Sequence, residues 1–196
     1  MGIEGSRTAD PSEAMKILVW NVRGMGSSRA FQVLLKLKQA YNPDVLFLME
    51  TKVNHSQMER IRVKLGFSSN LVVDCVGTKG VLSLMWSDDT NIRLLSYSSF
   101  HMDVQIDSQR GFLWRFTGFY GHPEVSQRQH GWILLRRLHG MSNLLWMCVG
   151  DFNEILEDLE KLGGRLKSLC QMTNFRDVLD YCGLQDLGFS GPCRKD

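Results

Sequence analysis

Four side chains that carry carboxylate or amide groups follow apolar runs at three separate places in the sequence. Asn21 and Glu50 each come directly after a short apolar run, and Asp151 and Asn153 come after a third run that ends at Gly150. Continuous apolar runs of this length, bounded by turn residues, predict strands that are buried on both faces. Because ligands of α/β sheets bind at the carboxyl ends of such strands, we expect the four side chains to converge on one site.

The expected site offers oxygen and amide groups and contains neither cysteine nor histidine. Oxygen ligands suit hard divalent cations, whereas zinc sites and thiol mechanisms need Cys or His. Mg²⁺ requires only one or two protein carboxylates, because water and substrate phosphate complete its coordination shell. The residue types therefore suit a hard divalent cation and a phosphate group; Mg²⁺ agrees with this chemistry, and Mn²⁺ is the alternative ion.

Amphipathic helices are expected to separate and position these strands. The first is stopped by Asn42 and Pro43, the second ends at Gly66, the third begins near Pro123 and the last ends at Gly183. Their inward-facing residues are predicted to be Phe31, Leu34, Leu35 and Tyr41 in the first helix; Met58, Ile61 and Leu65 in the second; Trp132, Leu135 and Leu138 in the third; and Met172, Phe175, Leu179 and Cys182 in the last.

Between residues 71 and 120 the apolar pattern changes to a period of two. Met102, Val104 and Ile106 alternate with polar residues, which is typical of antiparallel strands. Helices interleaved with two kinds of strand predict an α/β sandwich, in which helices lie outside two packed, mostly antiparallel sheets.

The chain has the size and composition of a single globular domain, with 196 residues, 43% of them hydrophobic and 22% charged. We predict a disordered tail over residues 1–14, which are small and polar and lack the apolar core of a secretory signal, and a folded domain over 15–196. The formal net charge of +2 means that any nucleic-acid-binding surface must be a local patch.

Cysteine usage and hydropathy bear on the compartment. No run approaches the roughly 18 apolar residues of a membrane helix, so no membrane partner is expected. The five cysteines are odd in number and never spaced as C-x-x-C, which favours reduced thiols. The sequence therefore predicts an intracellular protein that is not secreted.

Four short motifs appear in an order that resembles one known family. They are WNVRG at 20–24, METK at 49–52, GFYG at 118–121 and GDFNEIL at 150–156. The chain resembles the endonuclease/exonuclease/phosphatase superfamily, and within it the endonuclease domain of plant LINE-type non-LTR retrotransposons. The segments EKLGG at 160–164 and GFSGP at 188–192 also resemble that subgroup. One motif alone would be weak, whereas four in register over a hundred residues are specific.

The resemblance implies a four-layered α/β sandwich and a metal-dependent phosphodiesterase that nicks DNA to prime reverse transcription. It implies that Glu50 binds Mg²⁺ and that Asn21 helps to hold the metal and the phosphate. Tyr120 would contact the scissile phosphate, Asp151 would orient or deprotonate the attacking water, and Asn153 would steady the oxyanion. The expected partner is DNA, with no obligate protein partner, and action on genomic DNA implies the nucleus.

Two cationic residues flank the predicted ligands. Arg23 and Lys52 follow Asn21 and Glu50 by two residues each, and they would either contact DNA phosphates or remain solvated surface charges. The sequence leaves both interpretations open.

Simple structural roles also exist for the predicted site residues. Asn21 would merely end a strand, and Asp151 and Asn153 would form an Asx-turn, because Asn and Asp are common turn residues. Tyr120 would be a strand-end aromatic with its hydroxyl in water. The motif context favours a site role in each case.

The sequence departs from the family pattern at its carboxyl end. The family continues with further strands and a Ser-Asp-His motif that is central to catalysis, and His122 is the one histidine here expected near the site. We therefore predict a domain that is incomplete at the C-terminus, lacks the last strands and has impaired activity. Two alternatives are an inactive relic that retains nucleic-acid binding, and a phosphatase or lipid phosphodiesterase of the same superfamily.

Overall fold

A computed structural model describes most of the chain, over residues 14–73, 82–107, 111–157, 160 and 167–188. Residues 1–13 of the predicted tail at 1–14, residues 161–164 of the 160–164 segment and residues 189–192 of the 188–192 segment lie outside the described residues. The chain divides into two compact units. The first comprises the residues up to Tyr120 together with Leu145–Asp151, and the second comprises Gly121–Leu144 and the residues from Phe152 onward.

The first unit begins with a mixed four-stranded sheet and two helices. These elements are β1 (Ile17–Asn21), α1 (Ser28–Tyr41), β2 (Val45–Met49), α2 (His55–Leu65), β3 (Ser69–Val73) and β4 (Leu82–Trp86). The strand order is β1-β2-β4-β3, with β1 parallel to β2 and β4 antiparallel to both of its neighbours. The parallel pair places the carboxyl ends of β1 and β2 at the same edge of the sheet.

The second sheet of this unit is also mixed. Its strands are β5 (Asn91–Ser98), β6 (His101–Asp107), β7 (Leu113–Tyr120) and β8 (Leu145–Asp151). They lie in the order β5-β6-β7-β8, with a parallel β7–β8 pair and two antiparallel pairs. Tyr120 and Asp151 are register partners, so β7 and β8 also end together.

Strand β2 carries both hydrophobic cores of this unit, because its side chains alternate between two faces. Leu46 and Leu48 pack in a core with residues of α1 and α2, and Val45, Phe47 and Met49 pack against residues of the second sheet. Every residue of β2 is buried. This strand therefore joins the helical layer to the sheet-on-sheet core.

Capping residues fix where α1 and α2 begin and end. The Ser27 side chain caps α1 by accepting a hydrogen bond from the Ala30 N–H, and Asn54 and Gln57 form a capping box at α2. Asn42 and Gly66 end these helices in left-handed conformations.

The second unit is helical in its described part. It contains a 3-10 turn (Val125–Gln127), α3 (Arg128–His139) and α4 (Leu169–Tyr181). The ring of Trp132 stacks on that of Phe175 with centroids 4.9 Å apart, and Phe152 contacts the same ring at 5.4 Å. Through these aromatic contacts, the segment after β8 packs with the two helices.

The predicted fold class, an α/β sandwich built from two sheets and helices, is confirmed. Both sheets are mixed, and antiparallel pairs outnumber parallel ones in each. None of the helices in the described ranges has the length and apolarity needed to cross a bilayer. The absence of the last strands stays a prediction.

Several details of the sequence prediction were wrong. Strands β1 and β8 are only partly buried, because each lies at one end of its strand order among the described residues. Tyr41 is 60% exposed, since the core contacts of α1 come from residues 30–35. Helix α3 begins at Arg128 and not near Pro123, because the 3-10 turn precedes it.

Part of the polar face of the second sheet is buried. Asp103 and Arg115 are fully buried and form a two-bond ion pair, with Nε–Oδ1 at 2.8 Å and Nη2–Oδ2 at 2.9 Å. Thr117 donates to the same carboxylate at 2.7 Å. A period-two pattern alone cannot reveal such cross-strand pairing, because it does not fix the register.

We predict that Phe47→Ala lowers the free energy of unfolding by about 3–5 kcal/mol, because it leaves a cavity in the core between the sheets. Phe47 is fully buried and makes an edge-to-face contact with Phe116 at 6.1 Å. Urea denaturation measures the effect, with Val63→Ala at an exposed position of α2 as control. A loss below about 1 kcal/mol would contradict this account of the core.

Candidate active site

Four of the predicted site residues meet in the first unit, at the carboxyl ends of strands from both sheets. Asn21 ends β1, Glu50 directly follows β2, Tyr120 ends β7 and Asp151 ends β8. The parallel pairs bring two strand ends together in each sheet, and β1 packs against β8. The fold therefore gathers side chains that are up to 130 positions apart in sequence.

The amide nitrogen of Asn21 holds the two carboxylates together. It donates to Glu50 Oε1 at 2.8 Å and to Asp151 Oδ2 at 2.9 Å. The two carboxylate oxygens are thus no farther apart than two hydrogen-bond lengths. The amide oxygen of Asn21 in turn accepts a hydrogen bond from the Arg23 N–H at 3.2 Å, which orients the side chain.

Tyr120 completes the cluster from the second sheet. Its hydroxyl donates to Glu50 Oε1 at 3.0 Å, and the residue is 8% exposed. The ring of Phe100 stacks almost parallel to that of Tyr120, with centroids 6.5 Å apart. The Tyr120 N–H donates to the Phe100 carbonyl at 2.8 Å, so both ring and backbone are held.

The two flanking cations lie on the loops that follow β1 and β2. Lys52 Nζ lies 3.8 Å from Glu50 Oε2, and its side chain is about half exposed. The Met25 N–H donates to the Thr51 carbonyl at 2.7 Å, which joins the two loops. Lys52 therefore reaches the site while it keeps contact with solvent.

Backbone strain is concentrated at the predicted site residues. Positive φ values at non-glycine residues in the described ranges occur at Arg23, Glu50, Lys52 and Asn153, and at the α1 cap Asn42. Such conformations cost free energy and persist only where the surrounding structure enforces them. Four of these five strained residues are predicted site residues, which supports a functional reason for the strain.

Gly150 is required by its backbone conformation and by its neighbours. Its φ is 153°, and a Cβ at this position would lie 1.8 Å from the Phe119 carbonyl oxygen. Only glycine permits so close an approach of β8 to β7 just before Asp151.

Asn153 belongs to the second unit, where it is held by its own set of contacts. Its side-chain nitrogen donates to the Gly121 carbonyl at 2.7 Å, and its carbonyl accepts a hydrogen bond from Lys167 at 3.2 Å. His122 accepts a hydrogen bond from the Glu124 N–H through Nδ1 at 3.1 Å. This contact lies within the loop that precedes the 3-10 turn.

A buried ion-pair cluster anchors the segment that carries Asn153. The Glu154 side chain is 2% exposed and accepts from Arg128 Nη1 at 2.9 Å and from Lys167 Nζ at 2.5 Å. Arg128 also donates to the His122 and Pro123 carbonyls. Burial alone would raise the pKa of Glu154, but the hydrogen bonds from Lys167 and Arg128 outweigh it and hold the pKa below the usual range.

The donor set of the first unit fits a hard divalent cation. Glu50 and Asp151 supply carboxylate oxygens, and no group of three or more His, Cys, Asp or Glu side chains arranged for a metal occurs within the described ranges. Mg²⁺ and Mn²⁺ accept such sparse protein ligation, because water and phosphate oxygens complete the shell. In this arrangement Asn21 presents its nitrogen to the carboxylates, so its role as a metal ligand stays a prediction.

Sequence reasoning missed the residues that support the site. Glu154 lies inside the GDFNEIL motif, and an acid after Asn153 was the one available signal. Its partners Arg128 and Lys167 lie 26 and 13 positions away, and no local pattern identifies them. Phe100, which stacks on Tyr120, was also missed.

The comparisons with known proteins agree with this architecture. The model of the endonuclease/exonuclease/phosphatase family matches residues 18–182, and the chain belongs to this family. A search of curated protein sequences found no match. The superfamily prediction is confirmed, whereas the finer likeness to plant LINE elements stays a prediction.

Solved structures share the fold at low sequence identity. The AP endonuclease LMAP from Leishmania major has a TM-score of 0.68 at 15% identity, over 88% of this chain and 68% of that chain. The endonuclease domain of TRAS1, a telomere-specific non-LTR retrotransposon, has a TM-score of 0.67 at 15% identity, over 90% and 76%. An AP endonuclease from Archaeoglobus fulgidus has a TM-score of 0.64 at 13% identity, over 85% and 70%.

We predict that Glu154→Gln lowers the free energy of unfolding by about 3 kcal/mol near neutral pH, because two largely buried cations lose their counter-charge. The folded-state pKa of Glu154 is depressed, so its contribution is present above the ordinary value of 4.5 and is lost as pH falls below that value. Urea denaturation at several pH values measures both effects.

The exposed Glu157→Gln is the matched control for that experiment. It should leave both the stability and its pH dependence nearly unchanged. Equal pH profiles for Glu154→Gln and the unmodified protein would show that the cluster contributes nothing.

Proposed function

We propose that this chain is a divalent-metal-dependent endonuclease that hydrolyses phosphodiester bonds in DNA. The observation that supports it most strongly is the pair of hydrogen bonds from the Asn21 side-chain nitrogen, which hold the Glu50 and Asp151 carboxylates side by side. Family membership supports a hydrolase acting on phosphate esters. The fold likeness to a retrotransposon endonuclease domain and to AP endonucleases supports DNA as the substrate.

Glu50 is the proposed principal ligand of Mg²⁺ or Mn²⁺. When bound, the cation would neutralise the charge that develops on the phosphate and would position a phosphate oxygen. The Glu50 carboxylate already accepts hydrogen bonds from Asn21 and Tyr120, so its orientation is set before any ligand arrives. Such preorganisation lowers the cost of assembling a charged site.

Asp151 is the proposed general base. Its carboxylate would accept a proton from the water that attacks phosphorus, and the Asn21 hydrogen bond would aim it. The backbone N–H of Asp151 lies 3.3 Å from Met49 Sδ, a contact that ties the end of β8 to β2. The position of this group therefore depends on the junction of the two sheets.

The remaining predicted residues would bind the substrate. Tyr120 would contact the scissile phosphate through its hydroxyl, and Asn153 would donate to a phosphate oxygen as charge develops. Lys52 and Arg23 would contact neighbouring phosphates, and the half-exposed Lys52 ammonium has access to such a ligand. Action on genomic DNA would place the protein in the nucleus.

We expect Glu50→Gln to reduce Mg²⁺-dependent nicking of supercoiled plasmid by about 100-fold or more, because a ligand that acts on transition-state charge is lost. The same substitution should weaken Mn²⁺ binding, measured by calorimetry without DNA. Gel electrophoresis of the nicked and supercoiled forms gives the rate.

Asp88→Asn removes one negative charge at an exposed position and serves as the control. It should nick and bind Mn²⁺ like the unmodified protein. Nicking at the unmodified rate by Glu50→Gln would refute the metal assignment. Hydrolysis of phosphomonoesters with no nicking of DNA would refute the endonuclease proposal and favour a phosphatase.

A further inference from the structure

We propose that a groove between α1 and α2 binds the DNA backbone that flanks the scissile phosphate, with Arg60 and Lys64 as its phosphate contacts. This inference rests on the proposed function. It adds a second region of DNA contact, whose lining includes none of the four clustered site residues. The groove lies wholly within the first unit and has a volume of about 410 Å³.

The groove combines an apolar floor with a cationic rim. The rim is formed on α2 by Arg60 and Lys64, one helical turn apart, and these are the two ionisable side chains among the described lining residues. Both are exposed, and Lys64 Nζ lies 5.5 Å from the centroid of the Phe31 ring. The floor is formed by Met25, Phe31, Val53 and Ile61.

Positive charge is concentrated on the two helices that form the groove. Helices α1 and α2 together carry six Lys or Arg residues and one acid, Glu59. The acid is bound by Arg62, so it does not neutralise the rim. The whole chain has a net charge of only +2, so the helical layer supplies the local patch that a polyanion requires.

The groove also adjoins the candidate active site along the chain. Met25 lies two residues after Arg23, and Val53 directly follows Lys52. The hydrogen bond from Met25 N–H to the Thr51 carbonyl joins the two loops at this point. The loops that carry Arg23 and Lys52 thus lead directly into the lining of the groove.

These features favour a nucleic-acid backbone over other anions. Phosphates would contact the cationic rim, while the C–H face of the deoxyribose would lie over the apolar floor. Contacts of this kind position a duplex without reading its sequence. Their contribution to affinity should depend on salt, since each phosphate contact releases counterions.

The test is DNA binding by the double variant Arg60→Gln/Lys64→Gln, measured by fluorescence anisotropy of a duplex several helical turns long. EDTA is present, so that no hydrolysis occurs. We expect the slope of log affinity against log salt to become less negative by about 2, at about 0.9 for each lost phosphate contact. Affinity at low salt should fall about tenfold.

The matched control is Arg93→Gln/Arg137→Gln, which removes two exposed positive charges that do not line the groove. It should change the slope far less, and thermal melting should show that both variants fold like the unmodified protein. Equal slopes for the two double variants would overturn the groove assignment. Loss of poly-glutamate binding with DNA binding retained would also overturn it, and would assign the groove to an acidic protein segment.

A second measurement separates failure of the groove from failure of the proposed function. The unmodified protein should nick a long duplex faster than a single-turn duplex, and the groove variant should lose most of that difference. If the protein nicks nothing but the binding slopes differ as expected, the endonuclease proposal fails while the groove stands as a DNA-binding surface. Nicking with the same length dependence in both proteins would contradict the groove.

Discussion

The candidate site depends on one shared hydrogen-bond donor, the side-chain amide of Asn21. Its nitrogen bonds to Glu50 from the first sheet and to Asp151 from the second, so two like charges are held close together. Two carboxylates so placed repel each other unless a donor or a cation lies near them. The position of Asn21 follows from the packing of β1 against β8, and the geometry of the site is therefore a property of the sheet-on-sheet junction.

Well-packed elements support the strained loops of each unit. Glu50 and Lys52 hold left-handed backbone conformations directly after β2, whose five residues are all buried. In the second unit, the Glu154 cluster and the stacked Phe152, Phe175 and Trp132 rings hold the segment around Asn153. Local strain of this kind is tolerated only when rigid neighbours enforce it, and it leaves functional groups oriented in advance.

The sequence predicted the strand ends well, because a short apolar run that stops at a polar residue carries a local signal. Asn21, Glu50 and Asp151 were identified in this way, and the motif order added Tyr120. The partner of each side chain was not predictable, since register and sheet order are set by distant residues. Asp103 and Arg115 looked like ordinary polar positions of an alternating strand, yet they form a buried pair. The half-buried state of β1 and β8 likewise follows from strand order.

The central claim is that a divalent cation binds at the carboxylate pair joined by Asn21. Anomalous diffraction from crystals soaked in Mn²⁺ tests it most directly. The account predicts a single strong peak about 2.2 Å from a Glu50 carboxylate oxygen, on the side of the site that Asp151 faces. A well-occupied Mn²⁺ peak that contacts neither Glu50 nor Asp151, with both carboxylates still bonded to Asn21, would contradict it.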